Sequence, residues 1–183
     1  MCYTQKKNIT VRLPMYPQQY IDYLVYFHAD RDYFECHEIL EEYWKSFPIE
    51  TRSAVWVGLI QIAVGLYHQR RGNLTGAEKM FAGALAILRD KQLSNLGVDR
   101  EALLHDLQHR LQTLHTTPYA DLNLPLTAPE LVQSCKTHAK KRAVTWLAPS
   151  DFTNSFLMHK HTLRDRSHVI RTREDTIKRR QRN

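Results

Sequence analysis

The sequence predicts an all-α fold: a compact antiparallel bundle of about five helices, followed by a further C-terminal helix and a basic tail. Three observations carry this. Apolar residues recur at three- and four-residue spacing through most of the first 114 positions. Helix starters and stoppers (Pro17, Asp32, Pro48, Gly72, Asp99) punctuate that pattern. No segment alternates apolar and polar residues as a half-buried strand does. A chain of 183 residues holds one domain with a real core plus an appendage. The expected division is an irregular arm over 1–15, the bundle over 16–125, a further helix within 126–149 and a partly disordered basic tail over 150–183.

The first helix opens at Pro17, which has no N–H to leave unpaired, and carries Tyr20, Tyr23, Leu24 and Phe27 at helical spacing. Asp32 and Glu35 have capping-box spacing and open a second helix that runs to about Lys45, before Pro48. A third helix is expected from about Thr51 to Arg71. Its segment AVWVGLIQIAVGLY is apolar nearly all round, which places it mid-bundle. Gly72-Asn73 makes the stop and turn. The fourth helix (about Leu74–Lys91) turns Ala77, Phe81, Ala84, Leu85 and Leu88 inward. Asp99 caps the fifth, striped by Leu103, Leu104, Leu107, Leu111 and Leu114. Pro118 and the leucine-rich Tyr119–Pro129 end that unit. Thr127 and Glu130 form a second capping box, which predicts a helix over about Pro129–Leu147. Leu131, Cys135, Ala139, Ala143 and Trp146 would dock, with Lys136, Lys140, Lys141 and Arg142 outward.

The net charge of +7 is concentrated at one end: residues 1–125 hold 13 Lys and Arg against 14 Asp and Glu, whereas 126–183 hold 13 against 5. The basic character belongs to the tail, so contact with nucleic acid or a ribosome is an expectation about residues 150–183 alone. No run approaches the ~18 apolar residues of a membrane span, and the first residues lack the apolar stretch of a secretion signal. No membrane span and a cytoplasmic location are expected. Cys2, Cys36 and Cys135 are odd in number and lack CxxC spacing, against a disulfide framework or a thiolate zinc site, and Cys36 reads as a core residue.

The stretch DYFECHEILEEYWKSF, Asp32 to Phe47, sets ionisable residues along a helix that must bury one face. On a wheel at about 100° per residue centred on Leu40, His37 falls inside with Tyr33, Cys36, Tyr43, Trp44 and Phe47. Glu41 lies at the buried edge, one turn from His37, and Glu38 lies outermost. The third helix carries Gln61 and His68 on a strip with Ala54, Gly58 and Gly65. Those glycines, each costing roughly 1 kcal/mol in a helix, suit close approach of the second helix. His37, Glu41, Gln61 and His68 are therefore the centre of the candidate polar site, which also takes in Glu38. Two readings follow: a polar seam that fixes helix register, or a divalent-metal or small-ligand site with His37, Glu41 and His68 as candidate donors. A catalytic acid–base pair is the remaining alternative. HEILE is not HExxH, so a zincin reading is poor.

DYFECHEILEEYW, GLIQIAVGLYHQRRGNLTGAEKMFAGALAIL and TPYADLNL closely resemble the domain of unknown function 309 family of small bacterial and archaeal proteins, in order and spacing, from about Tyr20 to Leu124. The resemblance implies a compact all-α bundle with a His-Glu-x-x-Glu motif (His37, Glu38, Glu41), followed by Trp44, the Gln61 helix and the Gly72-Asn73 turn. It implies no known activity. Gly65, Gly72, Ala77, Phe81 and Ala84 also fall at the spacings of one tetratricopeptide helix pair, with nothing recurring 34 residues later.

The functional expectation is a non-catalytic interaction or scaffold protein with a polar seam between its second and third helices. The alternatives are a metal- or ligand-binding bundle centred on His37, Glu41, Gln61 and His68, extending to an enzyme, and a nucleic-acid-associated protein acting through its tail. Tyr16 and Tyr26, read as exposed, suggest a homodimer.

Overall fold

The computed structural model describes residues 16–163; the arm over 1–15 and the tail beyond 163 lie outside the described residues. The described chain is all-α. Its helices are α1 (Gln18–Val25), α2 (Tyr33–Lys45), α3 (Ala54–Arg70), α4 (Leu74–Leu88), α5 (Arg100–Thr113), α6 (Pro129–Lys141) and α7 (Ser155–Leu163). The one extended pairing among the described residues is an isolated bridge between Val98 and Leu126.

Starts and stops follow from capping chemistry. The Asp32, Asn73 and Asp99 side chains accept from the backbone N–H groups of Glu35, Gly76 and Ala102, satisfying donors that the first helical turn leaves open. Gly72 takes φ +76°, a conformation suited to glycine, and so reverses the chain between α3 and α4. Between α1 and α2 one wider π turn (Tyr26–Asp30) ends at Arg31, whose φ of +54° costs a non-glycine residue about 1 kcal/mol. That turn directs the Arg31 side chain into the interior, where it is 2% exposed.

α3 is the central helix and packs against both α2 and α4. Its glycines serve α4. A Cβ on Gly58 would come within 2.6 Å of Leu88, and one on Gly65 within 2.6 Å of Phe81. The expectation that they admit α2 is corrected: the α3–α4 hairpin has the tight geometry suggested by its tetratricopeptide-like spacing. Tyr20, Tyr23, Phe27, Tyr33, Cys36 and Leu40 complete the core from α1, the π turn and α2.

α6 docks through Leu131, Cys135 and Ala139, as its sequence predicts. It begins differently, since Ala128 occupies its cap position and no side chain caps it; the Thr127 N–H instead donates to Gly97 O in the paired loop. It also ends at Lys141 rather than near Leu147. Ala143 adopts φ +56° and is exposed, while Arg142 turns back to Asp30 at 3.1 Å and lies over the Tyr26 ring. Arg142 is thus not an outward cation. Tyr16 is buried and Tyr26 half-buried, which removes the exposed aromatics offered for a dimer.

Residues 150–163, assigned from sequence to a loosely held tail, are tied onto the bundle. Ser150 and Leu157 are buried, and Lys160 Nζ lies 2.6 Å from both Asp32 and Glu35. These contacts join residues more than a hundred positions apart, which helical periodicity does not register. No described helix is long and apolar enough to cross a membrane.

Candidate functional site

Between the first turns of α2 and the C-terminal half of α3, where α7 arrives, lies an open cleft of about 390 Å³, lined by Tyr33, Phe34, His37, Val64, Tyr67, His68, Arg71, Asn73 and His161. Two of the residues singled out from sequence, His37 and His68, face this space. Glu41 and Glu38 stand behind His37. Gln61 is elsewhere: it packs toward α4, where a Cβ on Gly83 would meet its Oε1 at 2.7 Å, and that oxygen has no hydrogen-bond partner among the described residues. Of the five candidate residues, His37 and His68 line the cleft, Glu38 and Glu41 adjoin His37, and Gln61 does not join them.

His37 sits at the rim of the buried stripe, 31% exposed, rather than inside. Its ring lies along the helix surface, Nδ1 3.2 Å from Glu38 Oε1 and Nε2 3.4 Å from Glu41 Oε2. Glu38 is 32% exposed and Glu41 37%, so Glu38 is not the outermost residue of the motif. An idealised wheel fails here because it treats a side chain as a fixed radius, whereas glutamates bend toward a neighbouring ring. Glu41 also pairs with Lys45 at 2.9 Å. The His-Glu-x-x-Glu motif is therefore a surface clasp that holds one imidazole at the cleft's edge.

His68 is positioned by a short chain of hydrogen bonds. The Gly76 N–H donates to Asn73 Oδ1 at 3.0 Å, which leaves the Asn73 amide nitrogen facing His68 Nδ1, also at 3.0 Å. Amide nitrogen donates, so Nδ1 accepts and the ring proton resides on Nε2. Burial and the Arg71 charge hold the His68 imidazole below its usual pKa. Across the cleft the His161 N–H donates to Tyr67 Oη at 3.2 Å, and the Tyr67 hydroxyl contacts His161 Nδ1 at 2.9 Å. Arg71 spreads its guanidinium over the Tyr67 ring at 5.1 Å, and its buried Nε has no hydrogen-bond partner among the described residues.

Among the described residues no group of three or more His, Cys, Asp and Glu is placed to hold a metal ion. His37, Glu41 and His68, read as candidate donors, do not converge. The two described cysteines, Cys36 and Cys135, are buried, and burial pushes the Cys135 thiol up to about 12.

A second hollow of about 410 Å³ lies beside α5 and is lined in part by Gln69, Arg110, Asp121 and Asn123. Its polar groups are engaged. Arg110 donates to Gln69 Oε1 and Ala120 O, and Asp121 accepts from Ser150 and Tyr119.

Sequence reasoning missed Tyr67, Arg71, Asn73 and His161. The first three follow from Gly72, whose turn folds the polar end of α3 back on itself. His161 left no signal at all.

A family model described as Domain of unknown function (DUF309) matches residues 20–80, a span that contains the α2 and α3 walls of the cleft but not His161. The chain is also 48% identical over 169 residues to the uncharacterized protein YpuF of Bacillus subtilis (strain 168), covering 91% of this chain and 97% of that protein.

Proposed function

We propose, from the premise that the chain belongs to the family of domain of unknown function 309, that it is a non-catalytic small-molecule-binding bundle whose site is the α2–α3 cleft. The observation that carries this reading is the composition of the cleft wall. Apolar and aromatic surface (Phe34, Val64, Tyr67) is combined with a few fixed polar groups (His37, His68, Arg71), the usual make-up of a ligand site. A register-fixing seam would instead close over its polar atoms and pair them. The non-catalytic part rests on the histidines: both nitrogens of His37 face carboxylates, Nδ1 of His68 is taken by Asn73, and the two described thiols, Cys36 and Cys135, are buried.

Native mass spectrometry after exposure to a small-molecule extract tests the reading, with Val64→Trp as a plug for the cleft. The expected result is a discrete adduct on the wild type that the plugged protein does not retain. The same adduct on both proteins, or none on the wild type, overturns the proposal.

A further inference from the structure

Resting on that reading of the cleft, we infer that its ligand is a small anion with a flat apolar body, such as a carboxylate or phosphate monoester joined to a ring. The cleft is lined by no Asp or Glu, yet it holds the permanent cation Arg71. That cation has no carboxylate partner among the described residues; it lies over the face of Tyr67 and near His68. Elsewhere in the described chain, partly buried arginines are spoken for. Arg31 donates to three backbone carbonyls and to Asn123, Arg70 to Arg31 O, Ser150 and Leu157 O, and Arg142 pairs with Asp30. Arg70 also has a buried Nε without a hydrogen-bond partner, but its two terminal nitrogens are engaged; Arg71 makes no side-chain hydrogen bond among the described residues, and its place is the cleft wall.

The chemistry of the neighbours agrees. A guanidinium presents a planar fork of N–H donors that fits the two oxygens of a carboxylate or phosphate. His68, its Nδ1 occupied by Asn73, keeps its proton on Nε2 and is a second, neutral donor in the same wall. In the same cleft, Phe34, Val64 and Tyr67 offer surface that rewards a flat apolar group. Glu38 and Glu41, which would repel an anion, are drawn to His37 and, for Glu41, to Lys45. The His37 clasp thus keeps the carboxylates on the outer side of its ring.

Titration calorimetry with phenyl phosphate, benzoate, inorganic phosphate and phenol separates the contributions. Phenyl phosphate or benzoate is expected to bind at least about tenfold more tightly than phenol or inorganic phosphate, since each of the latter lacks one half of the complementarity. Arg71→Gln should erase the advantage over phenol, and Arg71→Lys, which keeps the charge but not the fork, should retain part of it. Both variants are to melt within a few degrees of the wild type, which guards against a folding effect. Phenol binding as well as the two aryl anions, or the anions binding Arg71→Gln unchanged, overturns the anion assignment while leaving the cleft as a site. No heat with either aryl anion also overturns it. Binding that persists undiminished in Val64→Trp overturns the cleft itself.

Discussion

Two polar regions flank Tyr33, and they solve the same problem in opposite ways. On the closed side Arg31 donates to Ala148 O, Phe27 O, Leu122 O and Asn123 Oδ1, while Arg70 lies over the Tyr33 ring and donates to Arg31 O. Asp121 accepts from the Ser150 N–H at 2.7 Å, from the Ser150 hydroxyl and from Tyr119, as well as Tyr33. Burial works against its charge, but the Ser150 and Tyr119 bonds and the nearby Arg31 cation hold the carboxyl below its usual pKa. On the cleft side Arg71 rests on an aromatic face and His37 on two half-exposed glutamates. A buried charge is costly unless it is bonded, and apart from the Arg70 Nε the guanidinium and carboxylate groups of the closed side are bonded, so the closed side is architecture. The cleft is open, water can solvate what the protein leaves unpaired, and a ligand can replace that water.

The largest effect should come from breaking the closed side. Arg31→Met strands the carbonyls of Leu122 and Ala148 and releases the segment that carries Ser150; by analogy with broken buried charge networks it should cost roughly 3–5 kcal/mol in urea unfolding. A loss comparable to that of a surface substitution would show that the network does not hold the chain together.

Acid probes the same side. His28 is 1% exposed and stacked on Trp146 at 4.9 Å; burial and then the Arg31 charge bring its pKa down to about 3. The folded protein keeps His28 neutral while the unfolded chain takes up a proton near its ordinary pKa of about 6.5. Between those values the unfolded state binds more protons, so stability falls as pH drops from about 6.5 toward about 3, by as much as ~4 kcal/mol from this residue alone. The plain measurement is ΔG of unfolding against pH for the wild type and His28→Phe, which should lose that part of the slope.

Between the two regions lies the α7 strap. Lys160 is 13% exposed, and although burial disfavours its charge, Asp32 and Glu35 raise its pKa overall. Lys160→Met should cost about 1 kcal/mol globally. Hydrogen exchange should rise over 155–163 first; uniform exchange changes would indicate that the strap is part of the global unfolding unit. The smallest effects belong to the cleft. His37→Ala and Arg71→Gln should alter stability by no more than about 0.5 kcal/mol. A loss several times larger would move the cleft into the architectural class.

The legible part of the fold was that governed by neighbours in sequence. The Asp32, Asn73 and Asp99 helix starts and the inner faces of α4, α5 and α6 needed only periodicity and capping. Gln61 was misplaced because α3 is apolar all round, so no stripe tells which neighbour a given face meets. Thr127 was misread as a cap because the loop pairing of Val98 with Leu126 is a contact between distant segments. Arg31 and Lys160 escaped for the same reason: their partners are 91 to 128 positions away. Two of the five candidate residues, His37 and His68, line the cleft, and both are legible as ionisable residues on helices that must bury a face. Arg71 could have been found as a cation one residue beyond the end of the central helix, beside its turn.

The most direct test of the cleft as the functional site is backbone and imidazole chemical-shift mapping of the wild type titrated with phenyl phosphate. Perturbations are expected to cluster on Phe34, His37, Val64, Tyr67, His68 and Arg71, leaving Arg31, Asp121 and Ser150 unmoved. Shifts centred on the closed side, or no localised shifts at all, would contradict the account.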